Sequence, residues 1–423
     1  LPCLFTIERR GELKPFSTQK RNLLSVLGPA WIVMMADVDA PSIITAGESG
    51  AIYGYHLVFI LLILIVPLFF IQEAAGRIAV NTGKGLAEII REQYSRKIAI
   101  VASLPMFITD FLSYTAEYAG VAVAMQMFGI PPFISLPMVF VFHALLVFTG
   151  SYSRTERILL LVTAVLLSSY IIDLFLTGVN VQKLLLYGLN PVQPYADPSF
   201  GFMVAANVGA VIMPWMLFYQ AGAAVQKGLK QVDIKLERYE TLLGAIASEV
   251  LMISIVIVSS SMGSVNFLSS KSLAEALIPL AGQYAYLLYA IGLGAASFLA
   301  LVVISLASTW GIAEAFGWRR RIGEKFTLAK NFYIVYLLET FPALFIPLIY
   351  KNLVQLMLNL MVVFVFVTIV PAVLLGLISS NQRIMGKNSL KSYWKTFYWV
   401  SVLTVIITGV LTALSMLLKI WIV

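Results

Sequence analysis

Long uncharged apolar runs, separated by short polar and basic segments, dominate this chain. Eleven runs, at about 26–53, 55–76, 98–126, 133–150, 156–178, 201–226, 240–263, 283–315, 332–350, 352–379 and 396–421, are each long enough for a helix to cross about 30 Å of hydrocarbon. None has the short alternating pattern of a strand, so the pattern predicts an all-α integral membrane protein of eleven transmembrane helices. The loops at 127–132 and at 351 are the only places where spans would merge or split.

Basic residues test this division independently. With the N-terminus in the cytoplasm, 25 of the 29 lysines and arginines fall on cytoplasmic segments, and only Lys183, Lys271, Lys351 and Lys419 fall opposite. A missed span would scramble that alternation. The expectation is a cytoplasmic N-terminus, an extracytoplasmic C-terminus and a plasma (inner) membrane location. It divides the chain into an N-terminal segment 1–24, a core 25–379 and a last portion 380–423 comprising a cytoplasmic loop and the eleventh span. Leu1 in first position predicts that an initiator methionine has been trimmed; the first 24 residues, basic and without an apolar core, do not read as a signal peptide.

Composition agrees. Of 423 residues, 60% are apolar and 12% charged, against about 25% charged in a soluble domain. The bilayer is therefore an expected partner. The net charge of +8 is explained by the basic loops, and no nucleic acid is expected. One cysteine, Cys3, and two histidines, His56 and His143, exclude a disulfide framework and a multi-histidine zinc site. Neither histidine has an evident partner in sequence, so no nucleophile–base pair is visible and an enzyme is not expected.

Acids, unlike bases, occur deep inside the spans: Asp37, Asp39, Asp110, Glu117, Glu249 and Glu339. Intramembrane carboxylates are costly and by default mark a pathway. An interior with acids and no bases favours a cation. Glu73 and Arg77, four apart, are expected only to pair, and Asp173 and Glu314, near helix ends, to be solvated. Asp110, Glu249 and Glu339 read equally as hydrogen-bonded structural acids.

Two spans are interrupted. The first carries Asp39-Ala40-Pro41-Ser42 at its centre and the sixth Met213-Pro214-Trp215. Proline removes a backbone donor and frees carbonyls; freed carbonyls beside carboxylates are the oxygen ligands a hard cation needs. Met213 reads as packing filler or as a thioether ligand. Broken helices at the first and sixth positions are what a five-plus-five inverted repeat predicts, with its site at the midplane; the repeats would be about 25–178 and 201–379.

These segments resemble the Nramp (natural resistance-associated macrophage protein) transporters of divalent transition metals. Gly28-Pro29 and Gly54-Tyr55 frame a first span of matching length, placing the family's metal-binding aspartate on Asp39; its Ala-x-x-Met falls on Ala210 and Met213. The stretch from Gln72 to Glu88, ending TGKGLAE, and Glu117-x-x-Gly120 are similar to the family's second and third helices. The resemblance runs through most of 25–226 and implies a LeuT-like fold. It implies a metal site of Asp39, Ala40, Ser42, Ala210 and Met213, with Asp37, Glu117, Tyr114, Trp215 and Gln220 as pathway or gating groups.

Departures are as informative. The family's asparagine in the first span is Ser42, the acid before Glu117 is Tyr114, and the two histidines of the sixth span are Trp215 and Gln220. Paired arginines of the ninth span have no clear equivalent near Lys330 and Asn331. The chain is thus similar to a divergent branch such as the Nramp-related magnesium transporters. The expected function is transport of divalent metal cations (Mn²⁺/Fe²⁺ or Mg²⁺) by alternating access, with weak or absent proton coupling. The metal is cargo and no cofactor is expected; a monomer is. The alternative is a small anion such as bicarbonate, or an organic solute, on the same fold. A retained thioether favours Mn²⁺ or Fe²⁺, while Asp37 and the lost asparagine pull toward a harder ion.

Overall fold

A computed structural model describes residues 28–194, 197–263, 265–349 and 353–422, and these are helical with connecting loops. The N-terminal segment 1–24 and Lys351 lie outside the described residues. Ten segments among the described residues are long and apolar enough to cross a membrane. The first span is an eleventh, divided by its break into α1 (Pro29–Asp37) and α2 (Ala40–Tyr53), each too short alone. It is followed by α3 (Val58–Thr82), the short α4 (Leu86–Gln93), α5 (Arg96–Met127), α6 (Pro132–Thr149) and α7 (Tyr152–Thr177). The second half contains α8 (Pro198–Val211), α9 (Pro214–Lys227), α10 (Ile234–Ser259), α11 (Ser270–Phe316), α12 (Lys330–Ala343), α13 (Leu353–Ser380) and α14 (Tyr393–Ile422).

Local sequence sets the ends. Proline opens α1, α6, α8 and α9 at the first helical position or next to it, where a missing N–H costs nothing. Side-chain caps come from Asp39, Ser95 and Asp197. Gly83, Gly228 and Gly317 close α3, α9 and α11 in the left-handed region. α11 holds the eighth predicted span; Gly282 kinks it just where the apolar run begins. The short α4 escapes the hydropathy pattern because it is amphipathic, burying Leu86, Ala87, Ile89 and Ile90.

Packing shows the pseudo-symmetry. α3 follows the first break and α10 the second, and they pack on each other. Each also packs on the broken element of the other half: α1 and α2 lie on α10, and α9 lies on α3. Small residues permit the close approaches: a methyl group at Gly209 of α8 would collide with the Met361 carbonyl of α13.

Candidate transport site at the paired helix breaks

At the first break the chain unwinds rather than merely kinks. Asp39 is extended (φ −88°, ψ 178°), and its Oδ1 accepts the Ser42 N–H at 2.8 Å, capping α2. Glu117 of α5 completes the cap by accepting the Ala40 N–H at 3.1 Å. Two carboxylates therefore sit on the positive end of the α2 dipole. Gly120 makes this reach possible: a side chain there would meet Ala40 and the Ser297 hydroxyl, so glycine lets α5 come close to α2.

At the second break, Ile212 and Met213 leave helical geometry between α8 and α9. The Ile212 carbonyl accepts a hydrogen bond from Thr368 of α13 at 3.1 Å. The Ala210 carbonyl accepts one from the Ser42 hydroxyl at 3.2 Å, which ties the two breaks together. A second tie lies further along the same pair of helices, where Asn207 donates to the Ser49 hydroxyl at 2.8 Å.

Asp39, Ala40, Ser42, Ala210 and Met213 are wholly buried, as are Asp37, Glu117, Tyr114, Trp215 and Gln220. Several oxygens at the first break have no hydrogen-bond partner: both of Asp37, Oδ2 of Asp39, Oε1 of Glu117 and the Thr45 hydroxyl. The breaks thus supply carboxylate oxygens, the uncoordinated carbonyls expected at helix ends and one sulfur. Among the described residues no three His, Cys, Asp or Glu side chains gather into a metal cluster. An ion here would be held chiefly by one or two carboxylates with carbonyl help, a set suited to a cation that must leave again.

Not every predicted residue joins this site. Gln220 donates to Glu237 at 2.6 Å and to Thr241 at 3.0 Å, in a polar cluster between α3, α9 and α10. In the same region Glu73 pairs with Arg77 at 2.6 Å and with Arg238 at 2.9 Å, and both guanidinium groups lie over the Trp394 ring. Tyr114 turns toward α11 and α12, near Ser305 and Glu339. Trp215 is buried beside the second break with its indole N–H unpartnered.

Four expectations are corrected. Glu314 is buried, not solvated: it accepts the Ala87 N–H at 3.0 Å and pairs with Arg320 at 3.0 Å, so it caps α4. Burial works against the charge of Arg320, but Glu314 and Glu88 outweigh it and hold that guanidinium's pKa above its ordinary value. Asp173 is also buried. His143 has a partner on each ring nitrogen, Tyr118 at 3.0 Å and Tyr336 at 2.5 Å, and His56 bonds Gln193 at 2.7 Å. The partners of the two histidines are 25 or more positions away in sequence, and the α4 amide that Glu314 caps is 227 away, which is why adjacency did not reveal them. Sequence reasoning also missed Asn207, and Glu240, which caps α1 by accepting the Gly28 and Trp31 N–H groups at 2.5 and 2.9 Å. The signal for Asn207 was a polar residue inside an apolar run; Glu240 stands at the charged edge of one.

The profile of the natural resistance-associated macrophage protein-like family matches residues 30–415. A divalent metal cation transporter MntH from Verminephrobacter eiseniae is 26% identical over 203 residues, 47% of this chain and 46% of that protein. Its counterpart from Staphylococcus aureus is 28% identical over 209 residues, 48% of this chain and 46% of that protein. The matched stretch thus spans about half the length of these curated relatives. Among solved structures, the Eremococcus coleocola manganese transporter, in complex with an aromatic bis-isothiourea substituted compound, superposes with a TM-score of 0.76 at 18% identity. It covers 95% of this chain and 88% of that one. MhsT in complex with L-phenylalanine superposes with a TM-score of 0.63 at 15% identity, covering 93% of this chain and 98% of that one. At such identities the likeness is one of fold: the LeuT-like arrangement with broken first and sixth spans.

Proposed function

This chain belongs to the Nramp family, a multi-pass membrane family, and from that premise we propose that it carries divalent metal cations across the membrane by alternating access. The observation that carries the reading is the Ser42–Ala210 hydrogen bond, which joins the two breaks beside the unpartnered Oδ2 of Asp39. Asp39 supplies the charge, carbonyls near Ala40 and Ala210 supply oxygens, and Met213 supplies a soft ligand. The ion is cargo. The relatives' names speak of divalent metal cations and of manganese, and the thioether supports Mn²⁺ ahead of Mg²⁺.

Charge supports a cation over an anion. Among the described buried residues stand thirteen acids and a single guanidinium, Arg77, which Glu73 already neutralises. An anion or a zwitterion's carboxylate would meet repulsion at the first break. The basic loops support a cytoplasmic N-terminus and an extracytoplasmic C-terminus in the plasma membrane, with inverted repeats at about 25–178 and 201–379 and a monomer as the working unit. No enzymatic step is proposed.

The test is flux into proteoliposomes. Saturable uptake of Mn²⁺, with Mg²⁺ as competitor, is expected with or without a pH gradient. Absence of uptake for both ions, with uptake of an anion or amino acid in the same vesicles, would overturn the reading.

A further inference from the structure

A second group of buried acids lies away from the breaks, where α5, α11 and α12 pack together. Each helix contributes one face through residues a turn apart: Asp110 and Tyr114 from α5, Ser305 and Ser308 from α11, Tyr336 and Glu339 from α12. All six are fully buried. The Ser308 hydroxyl stands beside both carboxyls, and Ser305 stands beside both tyrosine hydroxyls. Yet one Ser308 proton cannot satisfy four carboxyl oxygens, and none of the four accepts a backbone N–H. His143 of α6 bonds the Tyr336 hydroxyl through one ring nitrogen, and its other nitrogen is taken by Tyr118.

Two carboxylates left together in a low-dielectric interior repel one another and lose their hydration. What the group offers is an oxygen-only set of two carboxyls and two hydroxyls, without the sulfur present at the break. Such ligands suit a small hard cation.

We propose that Asp110, Glu339, Ser308 and Tyr114 form a second cation site, between α5, α11 and α12, that takes a small hard metal ion of the Na⁺ or Mg²⁺ kind. It is separate from the cargo site: its acids come from the third and ninth spans, and it stands or falls independently of what passes the breaks. Bound there, the ion neutralises the acids and ties the ninth span to the third and eighth.

Thermal unfolding of the purified full chain in lipid nanodiscs tests this, with NaCl, MgCl₂ and CaCl₂ titrated separately against choline chloride at matched ionic strength. Ions that bind only the folded state raise the midpoint saturably. The measurement is made in an Asp39→Ala background, so that cargo binding does not contribute. One of the three ions is expected to raise the midpoint, and Glu339→Gln or Asp110→Asn to weaken its apparent affinity at least about tenfold. Ser308→Ala, which removes no charge and leaves the helix intact, is expected to weaken it several-fold and guards against misfolding of the charge variants. No ion-specific shift in the Asp39→Ala background would overturn the proposal. So would a shift that the three substitutions leave unchanged.

Discussion

Two regions of this protein bury carboxylates, and they treat them in opposite ways. Between α3 and α10, Glu73 is enclosed by Arg77 and Arg238, with Trp394 beneath both guanidinium groups and the Asn388 carbonyl on Arg77. At the first break, Asp37, Asp39 and Glu117 have no basic partner among the described residues and keep free oxygens. A buried charge that is paired is structure, because removing either partner strands the other. A buried charge with free oxygens is ready for something the chain does not supply. The two regions should therefore respond differently to the same kind of substitution.

Asp39→Ala gives the largest expected effect. Its Oδ1 caps α2 and its Oδ2 is the free oxygen at the junction of the two breaks. Uptake should fall to background while the protein still inserts and elutes as folded, since losing a cap costs only about 1 kcal/mol. Normal uptake would sink the site as drawn.

Glu73→Ala is the counterpart, and its effect should appear in stability. It strands Arg77, which is nearly buried, and half-frees Arg238. A loss of about 3 kcal/mol is expected, read as a lower unfolding midpoint, with the ion affinity of the surviving folded protein unchanged. If affinity fell and stability did not, the cluster would belong to the transport path after all.

How far this contrast was legible beforehand depends on range. The breaks announce themselves locally, because Pro41 and Pro214 interrupt apolar runs. Span positions follow from hydropathy alone, and the Glu73–Arg77 pair from i,i+4 spacing. What stayed hidden is whatever depends on two distant segments meeting. Nothing near Ser42 in sequence points to Ala210, 168 residues away. Glu314 sits near a helix end and looks solvated until the α4 turn is packed over it. Gln220 aligns with a pathway histidine, yet its amide is spent on Glu237 and Thr241. Resemblance located the residue without locating its partners.

Met213 sharpens the comparison within the break region. It is wholly buried and opens α9 without capping it, so its side chain is not needed by the helix end. Met213→Ala should weaken Mn²⁺ or Cd²⁺ about tenfold, or about 1.4 kcal/mol, and leave Mg²⁺ nearly unchanged, because only the softer ions gain from a thioether. Competition binding in detergent checks this. Equal losses for all ions would make the residue a packing group.

The smallest expected effect is on pH. A proton carried with the metal needs a chain of groups that titrate and exchange near neutrality, and histidine is the usual member. Here the two candidate positions in the sixth span hold Trp215, whose indole only donates, and Gln220, whose amide is engaged with Glu237. Tyr114 replaces the acid before Glu117, and a tyrosine hydroxyl in water loses its proton only near pH ~10. His143, the one histidine wholly buried in a span, has each ring nitrogen held by a tyrosine hydroxyl. Glu117 caps α2 through one oxygen, and among the described residues no histidine links it to the buried acids Asp37, Asp39, Asp110 and Glu339. Liposomes loaded with a pH dye and given an inward Mn²⁺ gradient should therefore show uptake with little or no acidification. Ion movement would then follow the ion's own gradient and the membrane potential. Acidification that depends on the metal and disappears in Glu117→Gln would show the opposite: that a capping carboxylate can also carry the proton, and that a buried acid's hydrogen bond to a helix end does not exclude it from the pathway.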